Sequence, residues 1–194
     1  AYGLKLNPRR EYKFQAADRG QLFHDVLAAL GRALKEQGAD WAELERAQAE
    51  ALVDACLEPY LPRFLSGMLL SSARYAYIRG RLREALVATA LLLAESLRQG
   101  EFRPIAFELP FGSQEPGSLP AFRIPLANGK TLELSGRIDR VDAALAPDGA
   151  RAYFRVVDYK TGETSLKRED IEAGLKLQLL LYLQVTLANR DLFA

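Results

Sequence analysis

The hydrophobic pattern changes period near Gly100, and that change constrains the fold more than any other feature of the chain. Upstream, Leu22, Phe23, Val26, Leu27, Leu30 and Leu34 recur at the spacing of one helical face. Asp18 is placed to cap that helix, which reads to about Lys35. A second helical stretch covers Trp41 to Leu57 and stops near Pro59. Pro62 suits the first turn of a third, longer helix reaching Arg98, with Gly67 and Gly80 as weak points and Gly100 as its stop. Downstream, apolar residues alternate. Ile105, Phe107 and Leu109 share one side of a strand over Arg103–Phe111. Gly112–Pro120 reads as a loop, and further strands fit Phe122–Leu126, Thr131–Asp142 and Ala152–Lys160. Asn128-Gly129 marks one hairpin and Pro147-Asp148-Gly149 the turn of another. Lys167 to about Ala188 returns to helix, apolar on nearly every side and so expected to be buried. Helices, then a strand meander, then a strand-to-helix crossover make an α+β fold with a small mixed sheet.

A chain of 194 residues has room for one core, or a core and a helical lobe. We read 1–194 as a single domain, mainly helical over 15–100, with the sheet and crossover helix over 101–194. The opening Ala1-Tyr2-Gly3-Leu4-Lys5-Leu6, and a stop just after a helical pattern, read as the ends of a fragment of a longer protein. Lysine plus arginine (26) nearly cancel aspartate plus glutamate (25), so only a local patch can speak for a polyanionic partner. Arg74, Arg79, Arg81 and Arg83, interleaved with Tyr75 and Tyr77, have the composition of such a patch and equally that of a solvated helix face. Cys56 stands alone, which excludes a disulfide framework within this chain and favours a reducing, cytoplasmic setting. The longest apolar runs, such as Leu177–Leu183, are too short to span a bilayer, so no membrane association is expected.

The chemistry-bearing residues cluster around Val156-Val157-Asp158-Tyr159-Lys160. Two apart on a strand, Asp158 and Lys160 project to the same side. An ordinary ion pair on a sheet has the same signature. The preceding strand carries Asp139, and a hairpin closed by Pro147–Gly149 lands it near Asp158. Two carboxylates converging beside an amine repel unless a cation lies between them, and hard divalent ions such as Mg²⁺ favour such oxygen ligands. A lysine alongside can orient water or stabilise charge on a phosphate. Asp142, three beyond Asp139, reads as a turn or surface residue. Gln178 and Tyr182 are four apart and share a helical face, where packing alone also accounts for them.

The spacing Asp139…Asp158-x-Lys160 resembles the metal-binding core of the PD-(D/E)xK nucleases. The words Gly136-Arg-Ile-Asp-Arg-Val-Asp142 and Val157-Asp-Tyr-Lys-Thr-Gly162 resemble those of its RecB-like branch. Gly174…Gln178…Tyr182 resembles that branch's Gln-x-x-x-Tyr helix, and Gly20-Gln-Leu-Phe-His24 its histidine-bearing helix. Tyr2–Leu6 resembles a stretch found in the AddB-type members. The resemblance implies a restriction-endonuclease-like core, with a helical region inserted between the histidine-bearing helix and the sheet. It implies a Mg²⁺-dependent deoxyribonuclease that cuts by metal-activated water, Mn²⁺ or Ca²⁺ substituting in binding. It further implies an exonuclease acting on DNA with an AddA-like helicase/nuclease subunit, in bacterial double-strand-break repair by recombination. His24, Asp139, Asp158 and the Tyr159 carbonyl become expected metal ligands, Lys160 the catalytic lysine, and Gln178 and Tyr182 residues that position the DNA backbone or the lysine. Glu108 matches an acidic position of the family. AddB-type members bind a 4Fe–4S cluster on cysteines flanking the core; Cys56 matches none of these, so this chain cannot hold one. Two other functions share the motifs: a nuclease-like fold kept as a DNA-binding or assembly scaffold, and a stand-alone RecB-like exonuclease of CRISPR-associated or phage type. Retention of both acids and the lysine weighs against the scaffold. The long insertion from Trp41 to Arg98, and ends that read as cut, weigh against the stand-alone enzyme.

Overall fold

A computed structural model describes residues 16–65, 72–149, 151–160, 169 and 177–193. Tyr2–Leu6, Gly67, Thr161, Gly162 and Gly174, and most of the helix expected from Lys167, lie outside the described residues. Helix α1 spans Ala16–Glu36. It buries Leu22, Val26, Leu27, Leu30 and Leu34, the stripe read from the sequence. Asp18 lies in its first turn rather than at the cap, where its charge still faces the positive end of the helix dipole. A 3₁₀ turn over Trp41–Glu43 and helix α2, Arg46–Leu57, replace the single helix expected from Trp41. The break falls at Leu44 and Glu45, whose backbones are extended. Helices α3, Leu61–Leu65, and α4, Ser72–Arg98, cover the third stretch, with 66–71 outside the described residues.

These helices enclose the larger of two cores. Val53 and Leu57 of α2, Leu61 of α3, and Leu86, Ala90 and Leu97 of α4 pack on the α1 stripe. The Trp41 indole donates to the Ala90 carbonyl at 3.2 Å, so its polar edge is satisfied inside this apolar lobe. Arg83 donates to both oxygens of Asp54, at 2.7 and 3.0 Å, and Arg79 to Glu58 at 2.6 Å, fastening α4 to α2. Arg81 lies near Glu84. This part of the arginine-rich segment is thus a paired helix face. Cys56 is half-buried against the same core.

Five strands follow: β1 Arg103–Phe111, β2 Phe122–Pro125, β3 Thr131–Leu134, β4 Gly136–Leu145 and β5 Ala152–Val157. They form one sheet in the order β1-β4-β5 and a separate β2-β3 hairpin. Every ladder is antiparallel; the parallel contact among the described residues is an isolated bridge between Phe111 and Leu119. The strand expected over Thr131–Asp142 is two strands in two sheets. Leu134 pairs with Phe122 whereas Gly136 pairs with Phe111, so the chain changes partner at Ser135. Both expected turns are present, with Gly129 at φ 76 and the Ala146 and Arg151 backbones hydrogen-bonded across the other. Strand β5 ends at Val157, leaving Asp158–Lys160 as a departing loop instead of strand.

Helix α5, Gln178–Ala188, closes the second core, where Tyr182 and Val185 meet Phe111, Ile138 and Val141. Leu177 is its N-cap, so the expected helix from Lys167 is not continuous. Nor is it buried all round: Leu180 and Leu187 are 45% and 41% exposed, because the small sheet covers one side of it. No helix among the described residues is long and apolar enough to cross a membrane. The two lobes meet where α1 lies on β1. A methyl group on Gly31 would come within 2.3 Å of the Phe107 ring, so α1 approaches this closely only because residue 31 has no side chain.

Candidate metal centre

Strands β1 and β4 set two carboxylates opposite each other. Phe107 faces Arg140 and Leu109 faces Ile138, which brackets Glu108 against Asp139. Glu108 holds φ at 47°, the left-handed region that side-chain-bearing residues rarely occupy. From α1, His24 reaches into this pair. Its Nδ1 lies 3.4 Å from Asp139 Oδ1 and 3.7 Å from Glu108 Oε1, and one ligand atom from each of the three residues falls within 4.8 Å of the others. Tyr159 locks two of them through its backbone: its N–H donates to Asp139 Oδ2 at 2.7 Å, and its carbonyl accepts from His24 Nε2 at 3.0 Å. A carbonyl has no proton to give, so Nε2 carries one and Nδ1 is turned to the acids.

The electrostatics follow from this crowding. The nearby Asp139 carboxylate foremost, and Glu108 behind it, push the His24 pKa up to about 10 against the opposing effect of burial. The Tyr159 phenol is pushed up to about 12, chiefly by burial, and stays neutral. Glu108 Oε1 is fully buried without a hydrogen-bond partner among the described residues. A buried, unsatisfied carboxylate oxygen is costly in an ordinary core. Beside a second acid and an imidazole it has the form of a ligand atom turned toward a cation.

The remaining expected residues form a second group alongside. Lys160 Nζ lies 2.7 Å from Asp158 Oδ2, the lysine 46% exposed and the acid 7%. Gln178, at the start of α5, donates to Asp158 Oδ1 and to the Tyr182 hydroxyl, each at 3.0 Å. All eight residues singled out in the sequence therefore lie in these two linked groups. The division differs from expectation, however. The compact trio contains Glu108, whereas Asp158, expected there, has its two oxygens engaged by Lys160 and Gln178.

Two further residues escaped the sequence reading. Asp142 is fully buried rather than at the surface, because two guanidiniums neutralise it: Arg140 Nε at 2.8 Å from Oδ1, and Arg155, which donates to Oδ2 at 2.7 Å. Arg140 itself is 3% exposed, lies over the rings of Trp41 and Tyr159, and donates to the Tyr159 hydroxyl at 3.1 Å. It fixes the residue whose backbone holds His24 and Asp139. The one sequence signal was Arg140 and Asp142 standing two apart on a strand.

With acids, imidazole and lysine gathered on adjoining strands, the chain belongs to the PD-(D/E)XK nuclease superfamily, whose profile matches residues 1–193. It is 44% identical over 97% of its length to a protein of Pelotomaculum thermopropionicum named as a subunit of an ATP-dependent helicase/deoxyribonuclease. Proteins of the same name from Desulforamulus reducens and Bacillus pumilus are 40% and 42% identical, each over 96% of the chain. The chain spans 16% of the length of each of these relatives.

Proposed function

We propose that these residues form the DNA-cutting domain of a helicase–nuclease subunit, in which His24, Glu108 and Asp139 hold a divalent cation. The observation that carries this reading is the unsatisfied Glu108 oxygen, buried beside Asp139 and His24. The donor set fits Mg²⁺, with Mn²⁺ and Ca²⁺ as binding substitutes, since oxygen donors predominate and the single nitrogen is tolerated by Mn²⁺. When bound, such an ion supplies Lewis acidity to a phosphoryl oxygen and lowers the pKa of water. Asp158 and the Tyr159 carbonyl border the trio and are the candidates to complete the ligand shell. The protein's own groups do the rest. Lys160 brings an exposed positive charge to the place where charge accumulates on the phosphate, Asp158 aims it, and Gln178 holds Asp158 while Tyr182 braces Gln178.

On this reading the 194 residues act as one nuclease domain of a larger protein, taking DNA from a motor and working with an AddA-like partner in cytoplasmic recombination repair. The names of the relatives support that assignment. A 4Fe–4S cluster does not fit: Cys56 is the sole cysteine of the chain and packs in the helical lobe. The test is hydrolysis of a labelled single-stranded oligonucleotide with Mg²⁺ or Mn²⁺. Lys160→Ala should lower kcat by about a hundredfold or more, with Mn²⁺ affinity little changed. Cutting at the wild-type rate by that variant would remove the proposed site.

A further inference from the structure

Beside Lys160, on the side away from Gln178, a cleft of about 430 Å³ opens between α1 and α4. Its mouth carries two cations, Lys160 and Arg19. Arg19 is exposed and has no hydrogen-bond or ion-pair partner among the described residues, whereas Arg79, Arg83, Arg98 and Arg103 all have acidic partners. Inside, the surface is apolar. Leu27 forms the floor and the half-buried Phe23 one wall; on α4, Thr89 turns its hydroxyl back to the Ala85 carbonyl at 2.8 Å and so offers the cleft its methyl group. A cationic rim over an aromatic and aliphatic lining is what a nucleotide needs, since its phosphate wants charge and its base wants a flat apolar face.

We propose that this cleft holds one nucleotide of a single DNA strand next to the phosphate being cut, with Arg19 gripping the neighbouring phosphate and Phe23 supporting the base. The assignment rests on the nuclease reading above. The cation trio and Lys160 fix the scissile phosphate on one side of Tyr159, and Tyr159 and Lys160 also line the cleft, so a strand leaving the cutting site has the cleft as its adjoining contact. An unstacked base enters such a slot, whereas a base paired in a duplex cannot turn out to do so without losing its partner.

The experiment uses the 194-residue chain, its Arg19→Gln and Phe23→Leu variants, and a fluorescein-labelled oligothymidylate. Binding is followed by anisotropy in EDTA across a NaCl series, and cutting is then measured with Mg²⁺. Arg19→Gln should weaken binding on the order of tenfold and reduce the slope of log K against log salt by about 0.7, the signature of one lost phosphate contact. In cutting, KM should rise while kcat holds. Phe23→Leu should leave the salt slope alone but lose most photocrosslinking to a strand carrying 5-iododeoxyuridine. Wild-type affinity and slope in Arg19→Gln, or an equal loss toward blunt duplex, would overturn the cleft assignment. Should the wild-type chain bind the strand with the expected Arg19 dependence yet never cut it, the nuclease reading fails and the cleft stands. If it cuts while Arg19→Gln behaves as wild type, the cleft alone fails.

Discussion

Tyr159 occupies the middle of the site without lending its side chain to the chemistry. Its phenol is buried under Arg140, and its amide and carbonyl hold Asp139 and His24. Arg140 therefore acts on the cation site through Tyr159. We expect Arg140→Met to weaken Mn²⁺ binding by about 10–100-fold, as loss of an outer support does. Titration calorimetry on protein whose circular dichroism shows it folded makes the check; unchanged affinity would reduce Arg140 to packing. Glu108→Gln should also cost at least about tenfold in Mn²⁺ affinity, because the amide keeps the shape but not the charge. His24, Asp139, Asp158 and Lys160 were legible because each sits in a word whose spacing constrains direction. Arg140 was not, since an arginine between two acids reads as solvent-facing until Trp41 and Tyr159 are seen to close over it.

Among the elements, the contact of α1 with β1 is the one on which the site depends. Gly31→Ala would force the helix off Phe107, and we expect a loss of about 1–3 kcal/mol, seen as a lower melting temperature, together with weaker cation binding as His24 retreats from Asp139. Helices α2 and α4 carry a pH dependence of their own. Arg83 hydrogen-bonds Asp54 and holds its carboxyl below the usual 3.8. A depressed acid contributes stability that is present above 3.8 and is lost as pH falls through its folded value. Wild type should thus out-melt Asp54→Asn at neutral pH, the gap closing in acid and shrinking with salt; a gap that persists in acid contradicts this. Local signals made the helices and hairpins readable: the Leu22–Leu34 stripe, Asn128-Gly129 and Pro147-Asp148-Gly149. What local signals could not carry was partner choice. Thr131–Asp142 reads as one strand because its alternation is unbroken, yet pairing with Phe122 and with Phe111 divides it at Ser135. The apolar α5 sequence likewise says nothing about how small the sheet beneath it is.

At the scale of the whole molecule, the proposed cation is a cross-link. His24 belongs to the helical lobe, and Glu108 and Asp139 to the sheet, so an ion held by all three ties the lobes together. Saturating Mn²⁺ should stabilise the folded chain by about 2.7 kcal/mol at one hundred times its Kd, raising the melting temperature, and EDTA should reverse the shift. Asp139→Asn, which removes a proposed ligand, should abolish the response; a Mn²⁺-dependent rise persisting in that variant would locate the ion elsewhere.

The left-handed backbone at Glu108 has an outcome for evolution in the test tube. Glycine would sit there at ease and would also remove a carboxylate crowded against another. A library screened only for resistance to heat should therefore enrich Glu108→Gly, and the winners would be sturdier proteins that have given up their trade.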